Sequence, residues 1–402
     1  MVHNAPLLVL ARDVNQPGSV YPEFKEILQN TVNEPLKFYV GIRIADRKSA
    51  LRGIEVASSG LTFEQLKVLK AKYALIRDRI IDGTEVPTVN LALNPLDPVS
   101  WNISGVKNHG VLMLAEKGLV LRMPKLLTED RVKGVYQTIL IEWVAEALTI
   151  SRRNPAGLPN IRVEVMTGGR IDSITSRKHI DGIVVAAPHG SFDPHTGDLL
   201  QEISYRTGLA AVMTKGFTPT EYGGSRVNVN RPTEKRYPRD RVEAERGTER
   251  AEQVYERFRE TVLKVAQGPL KLYFELHENG SERNLDVATH GISAAETQAI
   301  KTAYRAIRDR RLGAFGREPK IDLLIEPVDK VTFQALVAKE QGILRLVERS
   351  LHIELPGRRM LNDAGTRRAY ADVLIELIEQ LAADKSSPLV SAAMIGAAGP
   401  NP

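Results

Sequence analysis

The residues best placed to do chemistry are two histidines and a glutamate, each carried by a run of buried-type residues. His189 sits in Gly182 to Asp193 (GIVVAAPHGSFD), His277 in Glu275-Leu276-His277, and Glu354 in His352-Ile353-Glu354-Leu355. Ile183 to Ala187 read as a fully buried strand, which Pro188-His189-Gly190 stops and turns sharply. In open α/β sheets ligands gather at the carboxyl ends of strands, so a histidine there is a site candidate. On its own, this stretch is equally compatible with a histidine satisfied by turn hydrogen bonds. Taken together, His189 and His277 on neighbouring strand ends plus one carboxylate make the three-ligand nitrogen and oxygen set of a catalytic zinc, with one position open for water. Zinc lowers the pKa of that water and polarises a carbonyl. Glu354 is then the candidate to take the water's proton and pass it to a leaving amine.

Composition narrows the chemistry. The chain has no cysteine, so any metal must use His, Asp or Glu, and disulfides and cysteine nucleophiles are excluded. With 43% hydrophobic and 26% charged residues it has the balance of a globular protein. No stretch approaches the roughly 18 apolar residues of a membrane span, and the N-terminus lacks a signal-peptide pattern, so a cytoplasmic location is the default expectation and no membrane partner is expected. The net charge of +6 is scattered among acidic residues. That pattern argues against nucleic acid and for solvation or attraction of acidic substrates.

The elements that must position these residues recur. Val20 to Tyr39 aligns without a gap on Val254 to Tyr273, Glu55 to Arg79 on Asp286 to Arg310, and Val89 to Pro124 on Ile321 to Pro356. The last stretch shares Pro95/Pro327, Val-Ser-Trp against Val-Thr-Phe, and Gly110/Gly342. Each copy reads as helix, strand, loop, helix, strand, helix, strand, helix, an alternation that predicts a mostly parallel sheet covered by helices. Thr62 with Gln65 and Ser293 with Glu296 are spaced as capping boxes. Thr366 to Asp384 places Tyr370, Val373, Leu374, Leu377, Ile378 and Leu381 at helical spacing, a core stripe. The polar segment Ser151 to Leu158 divides residues 1–150 from 152–385. Ile161 to Ile180 reads as a strand pair, Thr233 to Glu252 as a charged loop entering a helix, and 386–402 as a disordered tail.

The copies differ where chemistry is expected. Arg43 stands at the position of His277, Arg122 at that of Glu354, and Gln16, in a segment resembling Ser225 to Pro232, at that of Arg231. The first copy has no counterpart of Gly182 to Asp193. A fold kept without these residues implies that packing does not require them.

Residues from about 180 to 382 resemble the N-formylglutamate amidohydrolase family, which shares its fold with zinc carboxypeptidases and aspartoacylase-like deacylases. The resemblance rests on Pro188-His189-Gly190, Ser225-Arg226 with Asn228, Asn230 and Arg231, Glu275-Leu276-His277, and His352-Ile353-Glu354-Leu355. It implies a three-layer α/β fold with a mixed, mostly parallel sheet, here tandem duplicated. It also implies zinc on His189, His277 and an acidic residue after His189, with Glu354 as general base and acid and Arg226 at the carbonyl oxygen. Asn230 and Arg231 would grip a substrate carboxylate, a task suited to a guanidinium fork. The chain departs from the family in having Asn228 where Asp is common and Phe192 where a His-x-x-Glu pair would place its glutamate. The third ligand is then Asp193, Asp198 or Glu202. Asp193, on the same turn, is favoured; Asp198 has an alternative use as a helix cap.

The expectation is therefore a zinc-free first half and a zinc-dependent amidohydrolase second half, acting on a small or peptide-like acidic substrate. A carboxypeptidase or a deacylase of larger substrates is the enzymatic alternative, and a non-catalytic binding protein the other. His195 and His290 read as loop histidines, His352 shares the strand face of Glu354, Tyr222 and Glu278 could line the pocket, and His3, His109 and His179 have no motif support.

Overall fold

Apolar strands of this chain build two sheets in a computed structural model that describes residues 24, 36–45, 51–101, 103–108, 110–152, 161–176, 180–236, 244–313 and 318–383. Contacts divide the chain into two compact units, Met1–Pro35 and Leu36–Pro402, and every element below belongs to the second. The first sheet holds β1 (Leu36–Ile44), β2 (Ile54–Ser59), β3 (Leu91–Asn94) and β4 (Ala115–Met123) in the order β1-β4-β2-β3. The second contains β5 (Ile161–Met166), β6 (Gly169–Ile174), β7 (Ile183–Ala187) and β8 (Ala210–Gly216). A separate small sheet pairs β9 (Ser225–Asn228), β10 (Thr233–Arg236) and β11 (Arg246–Gly247). The large sheet is completed by β12 (Leu272–Asn279), β13 (Leu285–His290), β14 (Leu323–Ile325) and β15 (Arg349–Pro356), giving β14-β13-β15-β12-β7-β8-β6-β5.

Helices α1 (Phe63–Ile81) and α3 (Asp130–Arg152) pack on the first sheet through Leu66, Leu69, Tyr73, Tyr136, Ile139 and Trp143, with the short α2 (Ile103–Asn108) beside it. On the large sheet, α4 (Thr196–Thr207), α6 (Ala294–Leu312) and α8 (Ala364–Ala383) cover one face. The other face is covered by α5 (Glu249–Ala266) and α7 (Leu336–Gln341). The expected three-layer, mixed and mostly parallel α/β arrangement is thus present: β14 with β13, β15 with β12, β12 with β7 and β7 with β8 run parallel.

Local signals hold well. Both capping boxes form, Thr62 with Gln65 and Ser293 with Glu296, each satisfying amides that the first helical turn leaves free. The strand pair expected in Ile161 to Ile180 is the antiparallel β5–β6 hairpin. Three readings change. The segments taken as loops after β1 and β12 contain β2 and β13, buried strands that run antiparallel to β4 and β15. Thr233 to Glu252, read as a charged loop entering a helix, contains β10, which pairs with β9 on one edge and β11 on the other, so the small sheet satisfies backbone groups that the charged side chains do not reveal. His290 is the last residue of β13 rather than a loop residue. The segment Ala11 to Pro17, residues 153–160 of the linker, residues 386–402 and His3, His109 and His179 lie outside the described residues.

The two sheets share a pattern. Parallel, antiparallel, parallel describes β1-β4-β2-β3 and also β12-β15-β13-β14. The Tyr136 hydroxyl donates to the Pro87 carbonyl (2.8 Å) and accepts from Val89 N (2.6 Å); the Tyr370 hydroxyl donates to Pro319 (2.8 Å) and accepts from Ile321 N (2.7 Å). Each hydroxyl satisfies two main-chain groups, so Tyr136→Phe and Tyr370→Phe are each expected to lower stability by about 1–3 kcal/mol in urea denaturation. An unchanged midpoint would show those groups solvated in both variants.

Candidate metal centre

Parallel pairing of β12 with β15 sets Glu275 opposite His352 and His277 opposite Glu354. Alternate residues of a strand share a face, so these four side chains stand together, while Leu276, Ile353 and Leu355 point into the core under α4, α6 and α8. On the adjacent β7, Ile183 to Ala187 end in the turn that brings His189 and Asp193 over the same face. The result is a cleft of about 640 Å³ lined by His189, Asp193, His277, His352, Glu354 and Glu278, with Arg226, Arg231 and Lys235 on its walls.

The deepest member is Glu275, with no exposed surface. It accepts from Tyr273 Oη (3.1 Å) and Asn230 Nδ2 (3.0 Å) and pairs with His352 Nδ1 (2.7 Å). His352 Nε2 reaches Glu354 Oε1 at 3.3 Å. Both imidazole nitrogens of His352 and both oxygens of Glu275 are therefore engaged. His277 Nδ1 meets Asp193 Oδ2 at 3.2 Å, whereas its Nε2 is buried without a hydrogen bond, 3.3 Å from Glu275 Oε2. The His189 ring lies 5.1 Å from that of His277, centroid to centroid, and makes no hydrogen bond among the described residues.

Charges follow from these contacts. Burial disfavours the His277 cation, but Asp193 and Glu275 outweigh burial and push its pKa up to about 10. Burial, then Arg226 and His277, holds His189 well below its usual value and so neutral. Burial would raise Glu354, yet His352 and His277 bring it below the ordinary carboxylate value. Burial, then Asp193 and Glu354, pushes Glu278 up to about 7. Glu278 lies so close to Gly357 that a Cβ there would sit 1.5 Å from its Oε1, so a larger residue at 357 would displace the Glu278 side chain.

Of the three carboxylates open to the ligand role, the structure brings only Asp193 to the cleft. Asp198 binds Lys107 Nζ (2.7 Å) and Glu202 binds Arg206 (3.2 Å), both away from it. Arg226 lies over the Phe192 ring (4.4 Å) and donates to Asn228 Oδ1 (2.9 Å). Arg231 reaches the cleft, but its fork is held by Glu245, Nε to Oε2 at 2.9 Å. Asn230, fully buried, donates to Glu275 and accepts from Arg231 (2.9 Å), so it positions both and does not touch the cleft. Tyr222 donates to the Thr167 carbonyl and does not line the cleft, and His195 lines a different one.

Two contributors lay outside the sequence reading. Glu275 was visible as the alternate partner of His277, a signal that only strand register turns into contact. Asp286, on β13, accepts from Thr332 N (2.7 Å) and Phe333 N (3.3 Å) and fixes the far wall of the cleft.

The donor set suits a borderline divalent metal such as zinc: imidazoles and carboxylates, no thiol, and one buried imidazole nitrogen without a hydrogen bond. Among the described residues, Glu275, His277 and His352 are a group whose ligand atoms lie within 4.8 Å of one another. His277 is common to this group and to His189, Asp193 and His277.

No protein-family model matches the chain, and no curated protein matches it. Among solved structures it is similar to a bacteriophage poly-gamma-glutamate hydrolase, at 12% identity over 54% of this chain and 91% of that one, with a TM-score of 0.32. It is also similar to a succinylglutamate desuccinalase from Vibrio parahaemolyticus (14%, 58% and 69%, TM-score 0.30) and a metallo-carboxypeptidase from Burkholderia cenocepacia (10%, 60% and 69%, TM-score 0.35). At such scores these likenesses carry no functional weight; what the cleft can do follows from its own side chains. Among the described residues no helix is long and apolar enough to cross a membrane.

A metal can take the His277 lone pair only after its proton leaves. With that pKa near 10, apparent zinc affinity is expected to rise roughly tenfold per pH unit from about pH 6 to pH 9. Competition with a chelator at several pH values measures it, and a flat profile would show that His277 is not a ligand.

Proposed function

We propose that the second half of the chain is a metal-dependent amidohydrolase that cleaves an N-acyl bond, such as N-formyl, of an acidic amino acid. The observation that carries this is the juxtaposition of His189, Asp193 and His277 with Glu354 on the floor of one cleft whose walls hold Arg226 and Arg231. His189, Asp193 and His277 are the ligands proposed for the metal, because all three face the cleft, whereas Glu275 does not line it and His352 has both nitrogens engaged. A divalent metal held there would polarise the scissile carbonyl and acidify a water molecule. Glu354, ionised and oriented by His352, takes the proton of the attacking water and delivers it to the departing amine. Arg226 faces the carbonyl oxygen. Arg231 holds the substrate carboxylate after exchanging Glu245 for it, since one guanidinium fork receives one carboxylate in two parallel bonds.

The first half is proposed to be a copy of this fold that has lost the chemistry. The shared strand order and the paired tyrosines support it. At the four positions of Glu275, His277, His352 and Glu354 it carries Gly41, Arg43, Val120 and Arg122, in the same cross-strand register. A second enzymatic reading, a carboxypeptidase or deacylase of larger substrates, is favoured by the cleft volume and by exposed Phe333 and Leu336 on its wall.

Metal analysis of the purified chain and assay of N-formyl- and N-acylglutamate test the reading. His189→Ala and His277→Ala are expected to lose metal and His352→Gln to keep it; a metal-free native chain would sink the proposal, and the reverse pattern would move the ligands to Glu275 and His352. Glu354→Gln should keep its metal and lose about 10²- to 10⁴-fold in kcat. Glu245→Gln should lower KM for acidic substrates by freeing Arg231; a raised KM would make Glu245 part of the binding surface instead.

A further inference from the structure

A second cleft, of about 490 Å³, opens where the loop after β3 faces α4 and the start of α8. Its apolar surface includes Trp101, Pro98 and the stacked Phe63–Tyr205 pair, whose ring centroids are 4.8 Å apart. Its charges are unevenly matched. Each acidic side chain on its lining already has a basic partner: Asp198 has Lys107 (2.7 Å), Asp97 has Lys70 (2.5 Å) and Glu202 has Arg206 (3.2 Å). Three basic side chains do not. Arg367, more than half buried, donates to the Leu361 carbonyl and pairs with no carboxylate among the described residues. Arg368 has no partner among them, and the His195 imidazole makes no hydrogen bond.

Two further features mark the place. His195 has a left-handed backbone (φ 69°), a conformation that a residue with a side chain adopts at some cost. Trp101 Nε1 is a buried donor with no acceptor among the described residues. Such a donor is costly to leave unmade, and an acceptor brought by a ligand would satisfy it. The contrast with the first cleft is direct: there Glu245 fills the fork of Arg231, whereas here Asp198, Asp363 and Glu202 act on the Arg367 charge from a distance and, among the described residues, no carboxylate forms an ion pair with Arg367 or Arg368.

We propose that this cleft is a second ligand site, for a small molecule bearing an oxyanion, carboxylate or phosphate, gripped by Arg367 and Arg368 beside His195 and packed on Trp101. A guanidinium recognises either oxyanion by charge-assisted bonds, and the apolar wall holds the rest of the molecule. The site is separate from the metal cleft, but Pro188 to His195 is one loop, with His189 and Asp193 facing the first cleft and His195 the second.

The chain has two tryptophans, and Trp143 is fully buried in the first core, so fluorescence of Trp101 reports on this cleft. The full chain is titrated with sodium phosphate and, separately, with sodium glutarate, ionic strength being held constant with chloride. A saturable fluorescence change with either is expected, absent in Trp101→Phe, and which of the two gives it assigns the oxyanion. Calorimetric titration follows binding where the tryptophan is replaced. Arg368→Gln, an exposed change that leaves folding intact, should weaken binding about tenfold, as should Arg367→Gln, while Arg231→Gln should not. No saturable binding of either anion, or binding lost in Arg231→Gln but unchanged in Arg368→Gln, would overturn the proposal. Metal content and turnover play no part in these readings, so they stand or fall apart from the hydrolase assignment.

Discussion

The candidate site depends on one constraint, the in-register parallel pairing of β12 with β15. It places a carboxylate and an imidazole of one strand against an imidazole and a carboxylate of the next, all nearly out of reach of water. Isolated buried charges cost several kcal/mol each, so such a block persists only when each charge meets its opposite and the remaining lone pairs are filled. Glu275 meets that condition through Tyr273, Asn230 and His352. The same arrangement leaves the outer members, His277 and Glu354, aimed at the cleft with a single partner or an unmade bond. A one-residue slip of either strand would turn its two members of the block into the core and break every pair between the strands.

A similar economy governs the packing of the first sheet against the second. Arg170 and Asp172 form an ion pair with no exposed surface, and Arg170 also donates to the carbonyls of Leu112 (3.3 Å) and Ala115. Lys215 reaches Ser59 (3.0 Å) and Lys107 reaches Asn94 (2.6 Å) as well as Asp198. Burial, with Arg170 adding to it, lowers Lys215 to about 8. These contacts are specific rather than adhesive: a buried pair gains little over well-packed apolar groups, but removing one partner leaves an uncompensated charge. They therefore hold one arrangement of the two sheets more firmly than they stabilise it.

Under the proposed duplication, the first strand set keeps its shape without the site. At the positions of the buried block it has Gly41 and Val120, which need no partners, and Arg43 and Arg122, which reach Trp101 and Glu55. The core residues around them, Val56, Leu69, Tyr73 and Trp143, are unaffected. On β12 and β15 the site residues stand opposite Leu276, Ile353 and Leu355, so the core under α4, α6 and α8 does not depend on them.

Much of this was legible in the residues alone. Capping boxes, the apolar stripe of α8, the buried run of β7 and the matching stretches are local or periodic signals, so the sequence determined most of the elements, a mostly parallel sheet covered by helices, and His189, His277 and Glu354 as strand-end candidates, while the three-layer class was implied by the family resemblance. It favoured Asp193 but left Asp198 and Glu202 open, because the ion pair that takes Asp198 comes from Lys107, 91 residues away along the chain. Nor could it show that β2 and β13 are strands, since their backbone partners on β3, β4, β14 and β15 all lie far along the chain, beyond an intervening helix. Glu275 as an anchor, Asn230 as a positioning group and Glu245 in the fork of Arg231 were decided only by tertiary structure. Each is a contact between groups whose meeting is set by strand register and loop placement, and no spacing along one segment encodes it.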